Sequence, residues 1–410
     1  MKRLLGLVLA IFLTGGLFSC GAASSDGSGS EPDSGKPREL TPEQLAKIET
    51  DLTRIAHDHD VVSMQVAFVV GDEVVYSHAV GQKSLATQTP ASVTDLYRIA
   101  SVSKSFSGVS TMQLVEAGKL SLDDDVSDIV GFRVRNPDYP DVPITVRMLL
   151  SHTSSVVDNS KVSYKRSFDE TLNPATASAA NVAACYSSHE PGTYYQYSNR
   201  GINLLGAVIE KVSGERFDNY VLNHILRPLG IADAGFNVDS LDRSRFASLY
   251  TIDNATGNFV EQTGAYERYP QYDTYRLGVD TPHLSPAGGM KISILGLAEW
   301  MMTLKRGGLG RNGTRILPAE RVEQMFQKAT PDNSTVIYGF TLSISKSLLG
   351  FPMRGHTGSA YGLKSVLSYS LDQDFGVVVF CASADEEKGA HGGVAAYSEA
   401  AEVLYKAIVR

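Results

Sequence analysis

Two stretches place a lysine three residues after a serine: Ser101-Val102-Ser103-Lys104 and Ser343-Ile344-Ser345-Lys346. A serine hydroxyl is a weak nucleophile until a neighbouring base takes its proton. A lysine amine withdrawn from water loses its charge readily and can be that base. Around Ser343, apolar and polar residues alternate from Tyr338 onward, which is the period of a strand. Residues three apart on a strand point to opposite faces, so Ser343 and Lys346 cannot cooperate. Ser101 instead opens a stretch in which Phe106, Val109, Met112 and Leu114 form the apolar face of a helix, with Gly118 as its stop. On a helix, residues three apart share a face, so Ser101 and Lys104 are the expected nucleophile and base.

Acyl transfer also needs donors for the oxyanion and a group that carries a proton to the leaving atom. Tyr197-Ser198-Asn199 is the chain's single Y-x-N. A phenol, ordinarily near pKa ~10, becomes a proton acceptor if Lys104 lowers it. Asn199 offers both a donor and an acceptor to an acyl-amide group. It also reads as the N-cap of the helix that follows. Gly355-His356-Thr357-Gly358-Ser359-Ala360-Tyr361-Gly362 lies between two strand candidates. Its glycines let backbone approach a ligand, and a backbone N–H near Ser359, on an edge strand, suits an oxyanion. His356 alternatively reads as a turn histidine. His152, in Leu149-Leu150-Ser151-His152-Thr153-Ser154-Ser155, is expected to be structural, bonding backbone near the site.

The elements that must position these residues follow from periodicity and caps. Thr41-Pro42-Glu43-Gln44 starts a helix that runs to about His57. Residues 62–70 and 74–80 form a hairpin about Gly71-Asp72-Glu73. Helices are expected at 144–152, 201–212 and 217–226, the last ending before Pro228. A hairpin follows about Asn254-Ala255-Thr256-Gly257. Tyr266, Tyr269, Tyr272 and Tyr275 occupy an aperiodic stretch that either lines a binding mouth or packs an insertion. Helices at 292–305 and 318–327, strands at 338–345, 363–370 and 375–382, and a helix from about 391 to 408 complete the chain. Strands thus occur at both ends with a helical block between them. The expected fold is α/β of the α+β type: an antiparallel sheet built from N- and C-terminal segments, flanked by helices, with an inserted mainly α-helical region. The α/β part covers about 40–117 and 285–410, the helical part about 118–284.

The chain has 410 residues, 43% of them hydrophobic, and a net charge of −8. That suffices for a large core, and the sign and absence of a basic stripe exclude a nucleic-acid partner. Lys2 and Arg3 precede an apolar run over 4–13, and Leu17-Phe18-Ser19-Cys20 follows. A short apolar run behind a basic start is a secretory leader, too short to span a membrane stably. Residues 21–39 read as a flexible tether, and the folded domain as 40–410. Cys185 and Cys381 read as two buried thiols. His57-Asp58-His59-Asp60 hints at metal ligation, but no further histidine follows at ligand spacing, so neither metal nor cofactor is expected.

S-V-S-K, Y-S-N and H-T-G, in this order and spacing, resemble the serine β-lactamase family. Together with Arg98-Ile99-Ala100 before the first motif, Leu149 to Ser154 and Ser285-Pro286-Ala287-Gly288-Gly289, they are similar to its class C β-lactamase and D-Ala-D-Ala carboxypeptidase branch, which also holds esterases and D-aminopeptidases. The resemblance covers about 45–410. It implies a sheet with an α insertion and the site between them. It further implies Ser101 as the acylated nucleophile, Lys104 and Tyr197 sharing the base role, and the backbone N–H groups of Ser101 and Ser359 as the oxyanion hole. Asn199, His356, Thr357 and Gly358 bind substrate in that pattern. The L-x-S-C ending resembles a bacterial lipobox, implying lipidation at Cys20 and a membrane-anchored protein of the bacterial cell envelope. The expected partner is a small-molecule or peptide acyl donor: a D-Ala peptide, a D-amino-acid amide, an ester or a β-lactam. A lipid-tethered sensor that acylates without turnover is the alternative. Two departures stand out. His356 replaces the usual lysine, which weakens recognition of a substrate carboxylate at neutral pH. Thr153-Ser154-Ser155 replaces T-S-G.

Overall fold

The computed structural model describes residues 40–269, 272–384 and 386–410. The leader, the tether and Cys20 lie outside the described residues. Among the described residues no helix is long and apolar enough to cross a membrane. The chain runs α1 (Pro42–Asp58), β1 (Ser63–Val70), β2 (Glu73–Ser84), β3 (Thr89–Pro90) and α2 (Lys104–Glu116). A block of short helices follows, crossed by α3 (Asn199–Ser213). Then come α4 (Ile294–Lys305), β4 (Ser343–Ser345), β5 (Met353–Ala360), β6 (Leu363–Ser370), β7 (Phe375–Ala382) and α5 (Ala395–Ile408).

The seven strands form one antiparallel sheet in the order β3-β2-β1-β7-β6-β5-β4. The two ends of the chain therefore meet at its centre, where Ser63 of β1 lies opposite Ala382 of β7. Successive side chains of β1 serve two cores. Val66 and Phe68 pack with Ile48, Leu52 and Ile55 of α1 and with Leu404 and Ile408 of α5. Ala67 and Val69 belong to the larger core that holds Phe106, Met112 and Trp300. Both faces of β1, β6 and β7 are covered; β1 and β7 read as nearly unbroken apolar runs, whereas β6 buries Lys364, Ser365, Ser368 and Ser370 among its apolar residues. This is the mixed architecture the motifs and periodicity imply.

Local signals act as expected at several ends. Thr41 and Gln44 form a reciprocal capping box with Pro42 at the first helical position. Ser198 caps α3, and Gly214 ends it at φ 75°. Four expectations are corrected. The strand expected over 338–345 is confined to Ser343–Ser345. The helix from Phe217 does not stop before Pro228: a π turn over Leu222–Leu226 carries it into Arg227–Leu229. A π turn shifts the bonding by one residue, so the missing N–H of Pro228 is accommodated. The His-Thr-Gly stretch, placed between two strand candidates, is itself part of a strand, β5, so His356 is not a turn histidine. Finally, α2 is not amphipathic. Ser105, Ser107, Ser110 and Thr111 are as buried as Phe106 and Met112. Its hydroxyls mostly bond within the core: Ser105 accepts from Trp300 Nε1 at 2.9 Å and Ser107 donates to Pro286 O at 3.0 Å.

The tyrosine stretch packs the insertion. The Tyr275 hydroxyl donates to the fully buried Glu210 at 2.7 Å, and the Arg216 guanidinium lies over the rings of Tyr272 and Tyr275 at 4.6 and 5.7 Å. Tyr266 donates to Ala247 O at 2.7 Å, and Tyr269 stacks on His283. Glu210 also takes the N–H groups of Phe217 and Gly278 and the Thr281 hydroxyl, which ties the whole segment to α3. Burial raises its pKa, and those four donors oppose the rise.

Candidate active site

The backbone before Ser101 is clamped before the chemistry begins. Tyr97–Arg98 pairs with Lys291–Ile292, and the Ile99 N–H donates to Met290 O. Ala100 then adopts φ 49°, a conformation costly for a residue with a Cβ. The chain turns through a 3₁₀ segment, Ala100–Ser103, and only then enters α2. Ser101 is therefore not on the α-helix itself, as the spacing suggested. The tight turn still leaves Lys104 Nζ 3.0 Å from Ser101 Oγ. Ser343 and Lys346, the competing pair, lie on and just after the short β4, with Lys346 exposed.

Lys104 is fully buried, and Nζ has two further neighbours, Asn199 Oδ1 at 2.7 Å and Ala287 O at 2.8 Å. A neutral amine carries two N–H groups and one lone pair. The two oxygens accept the two hydrogens, which leaves the lone pair for the Ser101 hydroxyl. Burial pushes the Lys104 pKa down to about 7, opposed by the charge of Asp158. The amine is thus poised to alternate between base and acid near neutrality.

Each acceptor is itself fixed. Arg98 donates to Gly288 O at 2.9 Å, Ala265 O at 3.1 Å and Ser285 Oγ at 3.1 Å. Asn203 Oδ1 accepts from the Ala287 N–H at 3.1 Å. The Ser285 to Gly289 loop is therefore held by the strand before Ser101 and by α3, and it presents Ala287 O to Lys104. Asn199 is the first residue of α3 rather than its cap. The Asp158 carboxylate accepts its backbone N–H at 3.0 Å, its Nδ2 at 2.8 Å and the Arg200 N–H at 2.9 Å. That fixes the amide with Oδ1 toward Lys104. The motif reading did not find Asp158. The available signal was the set of unsatisfied N–H groups at the start of α3, which demand an acceptor.

Tyr197 stands half-buried beside Ser101, with Lys104 Nζ 4.7 Å from its ring centroid and His152 packed at 4.3 Å. The expectation of a lowered phenol pKa is overturned. Burial raises it well above the usual phenol value, only partly offset by Ser101, and a Lys104 that is itself half neutral offers little charge to stabilise a phenolate. Tyr197 therefore holds its proton near neutral pH. His152 is structural as expected: Nδ1 accepts the Ser198 N–H at 3.2 Å and its carbonyl accepts the Gln196 N–H at 2.8 Å. Burial, reinforced by Lys104 and His356, keeps its imidazole neutral.

The third motif closes the site. β5 meets the Ser101 turn at Gly358, where a Cβ would fall 2.6 Å from Ile99 O and 3.1 Å from Ala100 Cβ. The same carbonyl accepts from Ser365 Oγ at 2.9 Å, which docks the strand pair against the turn. Ser359 is not on an outer strand, yet β4 pairs only with Met353 to Gly355 of β5, so the segment from His356 onward has an open edge. Thr357 and Ser359 present exposed side chains there. His356 is buried. Its Nδ1 bonds Thr357 O, so it donates there, and its Nε2 then accepts from Tyr338 OH at 2.9 Å. Burial, aided by Lys104, pushes its pKa down to about 4. The histidine is therefore uncharged across the neutral range, and its role as the reader of a carboxylate is not supported. Ser101, Tyr197, Asn199, His356, Thr357 and Ser359 all line one cleft of about 500 Å³.

The remaining candidates lie elsewhere. His57 pairs with its neighbour Asp58, and His59 pairs with Glu399 at 3.1 Å. Cys185 and Cys381 are buried free thiols whose pKa burial raises.

The family model described as Beta-lactamase matches residues 45–402. A protein named flp from Staphylococcus aureus (strain MRSA252) is 26% identical over 217 residues, 53% of this chain and 43% of that protein. The chain thus spans less than half the length of the curated relatives it matches. The octameric penicillin-binding protein homologue from Pyrococcus abyssi superposes with a TM-score of 0.68 at 24% identity, over 88% of this chain and 77% of that one. The D-amino acid amidase from Ochrobactrum anthropi SV3 superposes with a TM-score of 0.64 at 20% identity, over 88% and 99% of the two chains.

Proposed function

Because the chain belongs to the Beta-lactamase family, we propose that it is a serine hydrolase that cleaves an amide or ester bond through an acyl-enzyme on Ser101. The observation that carries this reading is the buried Lys104 amine, 3.0 Å from Ser101 Oγ and with a pKa near 7. Neutral Lys104 takes the hydroxyl proton as Oγ attacks the carbonyl carbon. The backbone N–H groups of Ser101 and Ser359 receive the oxyanion, Asn199 contacts the acyl side, and Thr357 and Gly358 form the wall along which the substrate lies. The departing nitrogen or oxygen takes a proton from Tyr197, which regains one from Lys104. Water then attacks the ester by the same route in reverse, releasing the acid and restoring Ser101. D-Amino-acid amides and D-Ala peptides are the preferred donors to test, given the amidase and penicillin-binding neighbours.

The test is covalent. A fluorophosphonate probe is expected to leave one adduct, on the peptide containing Ser101. An adduct on Ser343 with none on Ser101 defeats the reading. Burst and steady-state phases on a D-amino-acid ester then separate a hydrolase, with continued turnover, from a sensor that stalls after one equivalent.

The basic start, apolar run and L-x-S-C ending support lipid attachment at Cys20 and residence at the bacterial cell envelope. Cys20→Ala is expected to move the protein from the membrane to the soluble fraction. A native chain without lipid mass, or a variant that still sediments with membranes, defeats that part.

A further inference from the structure

His356 is uncharged and engaged by Tyr338, so a charge for an anionic substrate must come from another part of the cleft. Lys364 lies opposite Ser359 in the β5–β6 register, which puts both side chains on one face of the sheet. Its Nζ donates to Ser359 Oγ at 2.8 Å and forms an ion pair with Glu386. The two partners are unequally placed. The Lys364 side chain is 6% exposed, whereas the Glu386 side chain is 77% exposed, on the loop leading to α5. A buried ammonium requires an anion, but an exposed glutamate can leave for water at little cost. Ser101, Thr357, Ser359, Lys364 and Glu386 all line the same cleft. Ser359 is one residue from Gly358, where β5 touches the Ser101 turn, and the edge of β5 there is open.

We propose that Lys364, with the hydroxyls of Ser359 and Thr357, forms a carboxylate-binding subsite beside Ser101, and that Glu386 occupies it in the free protein as an intramolecular stand-in for the substrate's carboxylate. Binding of an acyl donor whose leaving group carries a carboxylate displaces Glu386 and takes its place on Lys364. A neutral donor leaves Glu386 where it is. This rests on the serine-hydrolase reading above and narrows it to acyl donors with an anionic leaving group.

The experiment uses reversible boronate competitors of fluorophosphonate labelling at Ser101. Phenylboronic acid is compared with its 3- and 4-carboxy derivatives, which differ in the reach of one carboxylate. In the native chain at least one carboxy isomer is expected to protect Ser101 about tenfold more tightly than phenylboronic acid. Lys364→Met keeps the length of the side chain and removes the charge; it is expected to abolish that advantage. Glu386→Gln, at an exposed position, removes the competitor's charge and is expected to raise the advantage severalfold. No gain for either isomer in the native chain overturns the subsite. So does an advantage that survives Lys364→Met, which would make the ion pair merely a clip for the 386–394 loop. An advantage unchanged by Glu386→Gln overturns the stand-in role of Glu386. Absence of labelling at Ser101 in the native chain is a distinct result: it defeats the serine-hydrolase reading, and this inference falls with it.

Discussion

Replacement of Ser101 by alanine is expected to lower turnover by at least ~10³-fold. Removing Oγ removes the atom that forms the covalent bond, and the neighbouring serines of the same turn cannot replace it. Ser103 and Ser105 are fully buried, and the Ser105 hydroxyl is bonded to Trp300 and Val102 O. The loss should appear in kcat rather than in the KM, because the cleft that binds substrate keeps its other walls. Alanine at 101 deletes one oxygen from a partly exposed turn, so the melting temperature should barely move. Steady-state kinetics on a D-amino-acid ester, with a thermal melt on the same sample, provide the check. Residual turnover within tenfold of the native rate would show that the reaction does not pass through Ser101.

The second large effect concerns Lys104. With a pKa near 7, the amine is protonated and useless as a base below that value, and neutral and competent above it. kcat/KM should therefore fall about tenfold per pH unit below pH ~7 and level off above it. Lys104→Arg keeps a cation at the position but cannot lose its proton in water-accessible pH, so the loss should be at least ~10³-fold at every pH from 6 to 9. An arginine variant that merely shifts the pH profile would transfer the base role to Tyr197. That outcome conflicts with the burial that holds the Tyr197 phenol in its protonated form. The pH dependence is measured on a neutral ester, so that substrate ionisation does not enter.

What was legible in the sequence was whatever local chemistry fixes. The capping box at Thr41, the apolar runs of β1 and β7, and the contrast between the two S-x-x-K pairs rest on neighbours within a few residues. The Ser101–Lys104 pair survives even though the backbone there is a 3₁₀ turn, because both geometries put residues three apart on one side. What was hidden depends on burial and on distant partners. The direction of the Tyr197 shift is set by desolvation, which no motif reports. Met353–Ala360 was not legible as a full strand because Met-Arg-Gly-His-Thr-Gly-Ser-Ala offers no alternation of apolar and polar residues. Asp158 and Lys364 belong to no catalytic motif, and only the fold brings them to the cleft.

The pairing of β1 with β7 has a consequence in time. A growing polypeptide emerges with β1 and β2 first, yet the central ladder of the sheet cannot form until residues 375–382 exist. Closing so long a loop costs conformational entropy before any contact rewards it, so this topology folds late and as a whole. The hairpin meanwhile exposes an apolar strand edge, which is a hazard in any incomplete chain. The same delay keeps the serine inert. The carbonyl of Ile99 is steadied by Ser365 of β6, and the open edge that faces Ser101 belongs to β5. A chain interrupted between residues 105 and 353 carries the nucleophile and its lysine but not the wall against which they act, so reactivity arrives only with the last strands.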